Sequence, residues 1–231
     1  MGATSTWATM KNLVKKILNR FDCKQKFFRS LSDNVKVLDL GCGGGANGIV
    51  LRAMHTTVEL QGLDIEPQTN LPGFYLFKTV DLDSGVLPFS DNYFDAVIFT
   101  HVIEHLRSPL KLGKEINRVM RKGAKIYVET PNWTTAFAPS FGFHREQHNP
   151  FNFYDDPTHV KPWSKHGLFE FLVQSCGLNV VKIGNTRNWV RLPFDLIILL
   201  YGLLTANRSY VVWSFWNLYG WCIYGVAIKE L

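Results

Sequence analysis

Cysteine is scarce in this chain. Its 231 residues hold four, Cys23, Cys42, Cys176 and Cys222, far apart and without a CxxC pair or a zinc spacing. A disulfide scaffold and a structural zinc module are thereby excluded, and a reducing, cytoplasmic setting is expected. Internal repeats and low-complexity tracts are also missing, and 46% of the residues are hydrophobic. Disorder is excluded on that ground, and one substantial core with elaborations is predicted. Acids are nearly absent before residue 31: seven basic side chains stand there against Asp22 alone, which accounts for the whole net charge of +6. The remainder is close to neutral, so no basic track for a nucleic acid is expected.

Charge is missing altogether from residues 209–228, SYVVWSFWNLYGWCIYGVAI, a run long enough to suggest a membrane span. Trp213, Trp216 and Trp221 are spread through it rather than gathered at its ends, Asn217 and two glycines interrupt it, and its last part alternates like a strand. The reading is therefore an apolar helical insertion over 192–220 before a final strand, either buried as core or in peripheral contact with a membrane. Residues 1–33 form another distinct region, with Trp7, Met10, Leu13, Val14, Ile17, Leu18 and Phe21 at helical spacing and lysines largely opposite. Such a basic amphipathic helix either packs on the domain with a solvated lysine face or lies on an anionic membrane surface.

What is present over 34–231 is an alternation of short apolar strands and amphipathic helices, the mark of a parallel α/β sheet. Strands are predicted at 35–40, 58–65, 74–82, 95–102, 124–131 and 178–186, helices at 46–54, 108–122 and 164–176, and a last strand from Trp221. Residues 132–163 are irregular and too long for a simple connection, so a lid or binding wall is expected there.

The first strand runs into KVLDLGCGGGANGIV, residues 36–50, where Gly41 to Ala46 satisfy the spacing G-x-G-x-x-G/A. Glycines let the backbone turn sharply into a helix and bring a ligand near its N-terminus, and by themselves they permit a nicotinamide dinucleotide. Asp39, two residues before Gly41, argues otherwise, because a carboxylate there would repel a pyrophosphate and attract an ammonium or sulfonium.

VLDLGCGGG resembles the first motif of the class I S-adenosylmethionine-dependent methyltransferases, and the resemblance continues in order through GLDI, VDLDSGVLPFSDNYFDAVIFTHVIEHL and INRVMRKGAKIYVETPN, over about residues 35–132. It implies a Rossmann-like seven-stranded sheet, mostly parallel with an antiparallel last strand and helices on both faces. It also implies S-adenosyl-L-methionine as cofactor. Asp39, Gly41, Cys42 and Gly43 would form the cofactor loop, Asp64 with Ile65 would take the ribose hydroxyls, Asp81 with Leu82 would lie beside the adenine, and the backbone of His101 would flank the methionine part. DDPTHVKPWSKHGLFEFLVQSCGL is similar to a subgroup that modifies surface glycans and lipid-linked sugars. THVIE stands where an amino-methylating enzyme would carry an NPPY-like signature, which again speaks against nucleic acid.

Methyl transfer to a hydroxyl needs in-line alignment and benefits from a base of near-neutral pKa, and the histidines cluster between strand four and the lid helix. His159 is the first choice for the base, followed by His148 and His105; each has a structural alternative as a cap or a lid hydrogen-bond partner. His144, Tyr154 and Trp133 are candidates to touch the acceptor. His144 and His148 have the spacing of a helical metal pair, but Pro150 and the aromatics around them argue against a helix, and no metal is expected. The expected function is thus methylation of a sugar, glycan or glycolipid hydroxyl. A quinone or other lipid acceptor is the alternative, as is a catalytically silent protein that keeps the cofactor fold.

Overall fold

The computed structural model describes residues 20–140 and 150–230. A seven-stranded sheet runs through it in the order β3-β2-β1-β4-β5-β7-β6. Its strands are β1 Lys36–Leu40, β2 Glu59–Asp64, β3 Tyr75–Thr79, β4 Phe94–Thr100, β5 Met120–Pro131, β6 Asn179–Asn185 and β7 Cys222–Ile228. β1, β2, β3, β4 and β5 pair in parallel, and β7 inserts antiparallel between β5 and β6. β1 and β4 are neighbours although β2 and β3 lie between them in sequence, so the order reverses beside β1, where open α/β sheets bind ligands at their strand ends.

Two cores flank the sheet, as apolar residues on both faces of a central strand require. Leu38, Leu40, Phe99, Leu112, Ile116 and Leu172 belong to one, and Val37, Leu60, Ile98 and Tyr127 to the other. Helix α2 (Ala46–Met54) and helix α3 (Pro109–Val119) have the predicted spacing. In α3, Leu112, Ile116 and Val119 are fully buried on one face, each stabilising by about 1.5–3 kcal/mol. Helix α4 (Lys165–Glu170) is started by the Ser164 hydroxyl, which accepts from Gly167 N, and a wider π-turn continues it to Ser175.

Helix α1 (Cys23–Arg29) begins at Asp22, whose carboxylate accepts from Gln25 N at 2.8 Å. It packs Phe27, Phe28 and Leu31 into the same core as Val37 and Tyr127. Arg20 and Phe21, expected within one continuous amphipathic helix, form a turn ahead of this cap, and residues 1–19 lie outside the described residues.

The insertion is an antiparallel hairpin of α5 (Leu192–Leu204) and α6 (Arg208–Tyr219). Gly202 sits at the crossing, where a Cβ would come within 3.0 Å of Tyr210 and Val211. The hairpin is fastened to the body through its base. Arg191 Nε donates to the buried Asp195 carboxylate at 2.7 Å, Asn217 Nδ2 donates to the other oxygen, and Trp216 Nε1 donates to Pro150 O at 2.9 Å. Most of the rest faces outward: Phe194, Ile197 and Leu200 are exposed, and Leu204 is 87% exposed. A role as buried core therefore holds only for the base. Among the described residues no helix is long and apolar enough to cross a membrane.

Candidate functional site

The glycine loop is folded by β2. Gly41 N and Cys42 N both donate to Leu63 O, at 2.8 and 3.0 Å, and Gly43 N donates to Asp64 Oδ2 at 2.8 Å. Asp64 therefore stands at the mouth of the loop, with its other oxygen accepting from Glu66 N, and Ile65 beside it is exposed. Gly41 has φ +67° and a Cβ there would lie 2.1 Å from Val102 Cγ2, so only glycine lets the loop close against the turn after β4. Cys42 points into the core, where burial pushes its thiol up to about 12; only its backbone is offered to a ligand.

Asp39 does not face the loop's open side as the sequence suggested. It is fully buried, accepting from Tyr75 Oη at 2.9 Å and from Asn47 Nδ2 at 3.2 Å. Burial raises its pKa to about 6 against the pull of those two donors. Tyr75 also accepts from Gly48 N at 2.8 Å, and Asn47 donates to Thr100 Oγ1 at 3.0 Å. Asp39 thus braces β1, β3, β4 and the first turn of α2 from beneath. Tyr75, Asn47 and Thr100 were invisible in the motif because their partners are distant in sequence.

Asp81 caps the turn Leu82–Ser84 through Asp83 N at 2.9 Å and is exposed, whereas the Leu82 side chain is buried in the core. Any contact of Leu82 with a ligand is therefore one of its backbone. Asp83 receives Arg107 N and Ser108 N at 2.8 and 2.9 Å and so ties this turn to the segment after β4.

His101 ends β4 in a left-handed conformation, φ +56°, held by its N–H to Glu129 O at 2.9 Å. Its ring lies between two carboxylates, Nε2 at 3.1 Å from Glu129 Oε1 and Nδ1 at 3.5 Å from Glu104 Oε1. Burial opposes charge on this ring, but the Cys222 sulfur and the two carboxylates outweigh it, and its pKa is held well above the usual histidine range. Burial pushes the Cys222 thiol up. Burial likewise disfavours charge on Glu129, yet hydrogen bonds from His101 and Tyr127 and the Lys24 charge bring it down to about 2. Glu129, a lone acid in the apolar strand IYVETP, was the signal that sequence reasoning passed over.

His101 and Glu129 line a chamber of about 210 Å³ with Lys24, Arg191, Trp213, Trp216 and Trp221. Arg191 and Trp213 also line a groove of about 930 Å³ along the α5–α6 hairpin, bounded by Phe194, Ile197 and Tyr201. Chamber and groove thus share a wall.

The other expected residues are placed elsewhere. His159 is 5% exposed at its side chain, its Nδ1 bonded to Phe153 O at 2.6 Å and its ring stacked on Phe153 and tilted against His105. Burial lowers its pKa. His105 Nδ1 is bonded to Thr158 Oγ1 at 2.9 Å. Neither histidine lines the chamber. Trp133 lines a separate groove with Lys161 and Trp163, and Tyr154 is exposed at the edge of Phe153. His144 and His148 lie outside the described residues.

Comparison with known proteins agrees with this fold. The chain matches the methyltransferase domain family over residues 7–183. It is similar to a sterol 4-C-methyltransferase, strm-1, of Caenorhabditis elegans, 33% identical over 107 residues that cover 42% of this chain and 31% of that protein. It is also similar to an ajmaline N-methyltransferase of Rauvolfia serpentina, 27% identical over 137 residues that cover 55% of this chain and 47% of that protein. The chain spans less than half the length of either relative. Among solved structures, a SAM-dependent methyltransferase from Archaeoglobus fulgidus superposes with a TM-score of 0.59 at 22% identity, covering 94% of each chain, which shows the fold. With the glycine loop, Asp64 and the seven-stranded sheet all in place, the chain belongs to the methyltransferase domain family.

Proposed function

We propose that this domain binds S-adenosylmethionine at the glycine loop and Asp64, and transfers its methyl group to the polar head of an amphipathic, lipid-like acceptor. The observation that carries the acceptor class is the wall shared by the chamber and the apolar groove, at Arg191 and Trp213. An acceptor with its head beside His101 and Glu129 and its tail along Phe194 and Ile197 would use both. A lipid-linked sugar and a quinone each have that shape, and a free glycan does not call for the groove.

In the transfer, the acceptor oxygen attacks the methyl carbon in line, the carbon–sulfur bond breaks, the sulfonium becomes a neutral thioether and the hydroxyl proton leaves. Alignment and exclusion of water supply most of the acceleration for such a step. His101 and Glu129, paired with each other at 3.1 Å in the chamber wall, are suited to orient the acceptor's head by hydrogen bonds. His159 is 5% exposed at its side chain, and neither it nor His105 lines the chamber, so neither stands beside this acceptor position.

The reading is tested by Phe194→Asp and Ile197→Asp, which place charge on the exposed groove without touching the cofactor loop. Methylation of a long-chain acceptor should fall at least tenfold, while binding of S-adenosylhomocysteine stays at the wild-type level. Equal activity of wild type and both variants would remove the groove from the reaction.

A further inference from the structure

The segment after Asp156 meets the short turn Ile103–His105: Val160 N and Lys161 N donate to Glu104 O, at 2.8 and 3.2 Å. This pairing brings Glu104, His105 and His159 together, so that one ligating atom of each lies within 4.8 Å of the others. Glu104 is fully buried. Its Oε2 accepts from Thr130 Oγ1 at 3.0 Å, but Oε1 has no hydrogen-bond partner, and His101 Nδ1 stands 3.5 Å away. A buried carboxylate oxygen whose nearest donor is this longer contact with His101 is poorly satisfied, and its place beside two further imidazoles points to a cation.

The imidazoles are set for that role. The Nδ1 of His159 meets Phe153 O at 2.6 Å, and the Nδ1 of His105 meets Thr158 O at 3.2 Å. A carbonyl can only accept, so Nδ1 carries the proton in both rings and Nε2 is left with a free lone pair, the tautomer that outer-shell carbonyls impose on metal-binding histidines. Asp156 adds a second carboxylate: its Oδ1 is taken by Thr158 N at 2.8 Å, and its Oδ2 reaches 3.9 Å from His159 Nε2.

We propose that Glu104, His105 and His159 bind one divalent first-row transition ion, pinning the lid segment to the turn after β4. Two nitrogens and a carboxylate favour zinc, manganese or iron over magnesium and calcium, which prefer oxygen throughout. Bond lengths of about 2.0–2.2 Å require the ligand atoms to close to roughly 3.5 Å, which small side-chain rotations supply. Three protein ligands leave at least one coordination position for water or an acceptor oxygen.

The test uses the untagged full chain, stripped with chelator and titrated with cobalt(II) chloride. One equivalent should bind with visible d–d absorption. Glu104→Gln and His159→Gln should each weaken binding by more than about tenfold, whereas His166→Gln, an exposed histidine outside the cluster, should leave it unchanged. Stabilisation of each variant by S-adenosylhomocysteine reports that it is folded, and His105→Gln replaces any variant that fails this check. Absence of the bands in the wild type, or bands that survive both substitutions, would overturn the proposal.

Discussion

Replacing Tyr75 by Phe removes one oxygen from beneath the cofactor loop, and its effect should depend on pH. The hydroxyl donates to Asp39 at 2.9 Å and accepts from Gly48 N at 2.8 Å. Asp39 has a pKa of about 6 in the folded protein against an ordinary 3.8, because burial outweighs the bonds from Tyr75 and Asn47. The folded state therefore holds this proton more tightly than the unfolded chain. The associated stability is present in full below the ordinary value and is lost as pH rises through about 6, by about 3 kcal/mol in all. Without the hydroxyl, the folded pKa climbs further and the loss extends to higher pH. At pH 5, where Asp39 is largely protonated, the variant forfeits mainly the Gly48 bond, about 1 kcal/mol; at pH 8 it also forfeits a bond to a buried charge, for a total of about 2.5–4 kcal/mol. At about 2–4 °C per kcal/mol for a chain of this size, Tm should fall roughly 2–4 °C at pH 5 and roughly 6–15 °C at pH 8. Thermal unfolding of both proteins at the two pH values measures this. An equal penalty at both, or a smaller one at pH 8, would refute the account of Asp39 as a buried, hydroxyl-stabilised carboxylate.

Three further outcomes are expected. Asp64→Ala removes the acceptor of Gly43 N and should weaken S-adenosylhomocysteine binding at least tenfold in calorimetry; an unchanged Kd would free Asp64 of any cofactor role. Gly41→Ala should cost about 2–5 kcal/mol in urea unfolding, from the left-handed backbone and the contact with Val102 together, and adding Val102→Ala should recover only the contact part; full recovery would contradict a backbone requirement. Arg191→Ala strands the buried Asp195 carboxylate at a cost of about 3–5 kcal/mol, so limited proteolysis should cut first within 192–219, and wild-type resistance there would show that the hairpin is fastened by other means.

Where hydrophobic period and turn chemistry agreed, the sequence was sufficient. α2 spans Ala46–Met54 as its spacing predicts, and β1 and β2 differ from expectation only at their ends. β3 stops at Thr79 rather than Leu82 because Asp81 caps a tight turn. Lys122-Gly123 read as a break between helix and strand. Instead α3 ends at Val119 and β5 begins at once, since Met120 pairs with Phe94 before a register shift, and Gly123 lies within the strand at φ +77°. That is a tertiary choice that no local pattern records. The glycine loop and its neighbour Asp64 were legible because they stand in contiguous motifs, although the position of Asp39 behind the loop was not. The surroundings of the histidines were much less so: the Phe153 carbonyl that takes His159 Nδ1 and the His101 ring that meets Glu129, twenty-eight residues away, depend on the fold. The apolar hairpin was recognised as helical, but its outward face depends on where Arg191 and Asn217 anchor it.

The most direct test of the central claim is to incubate the protein with methyl-tritiated S-adenosylmethionine and a total cell extract, and then to partition the products between organic and aqueous phases. Label should appear in the organic phase, and should disappear from it with Ile197→Asp. Label confined to the aqueous phase would contradict a lipid-like acceptor in the groove.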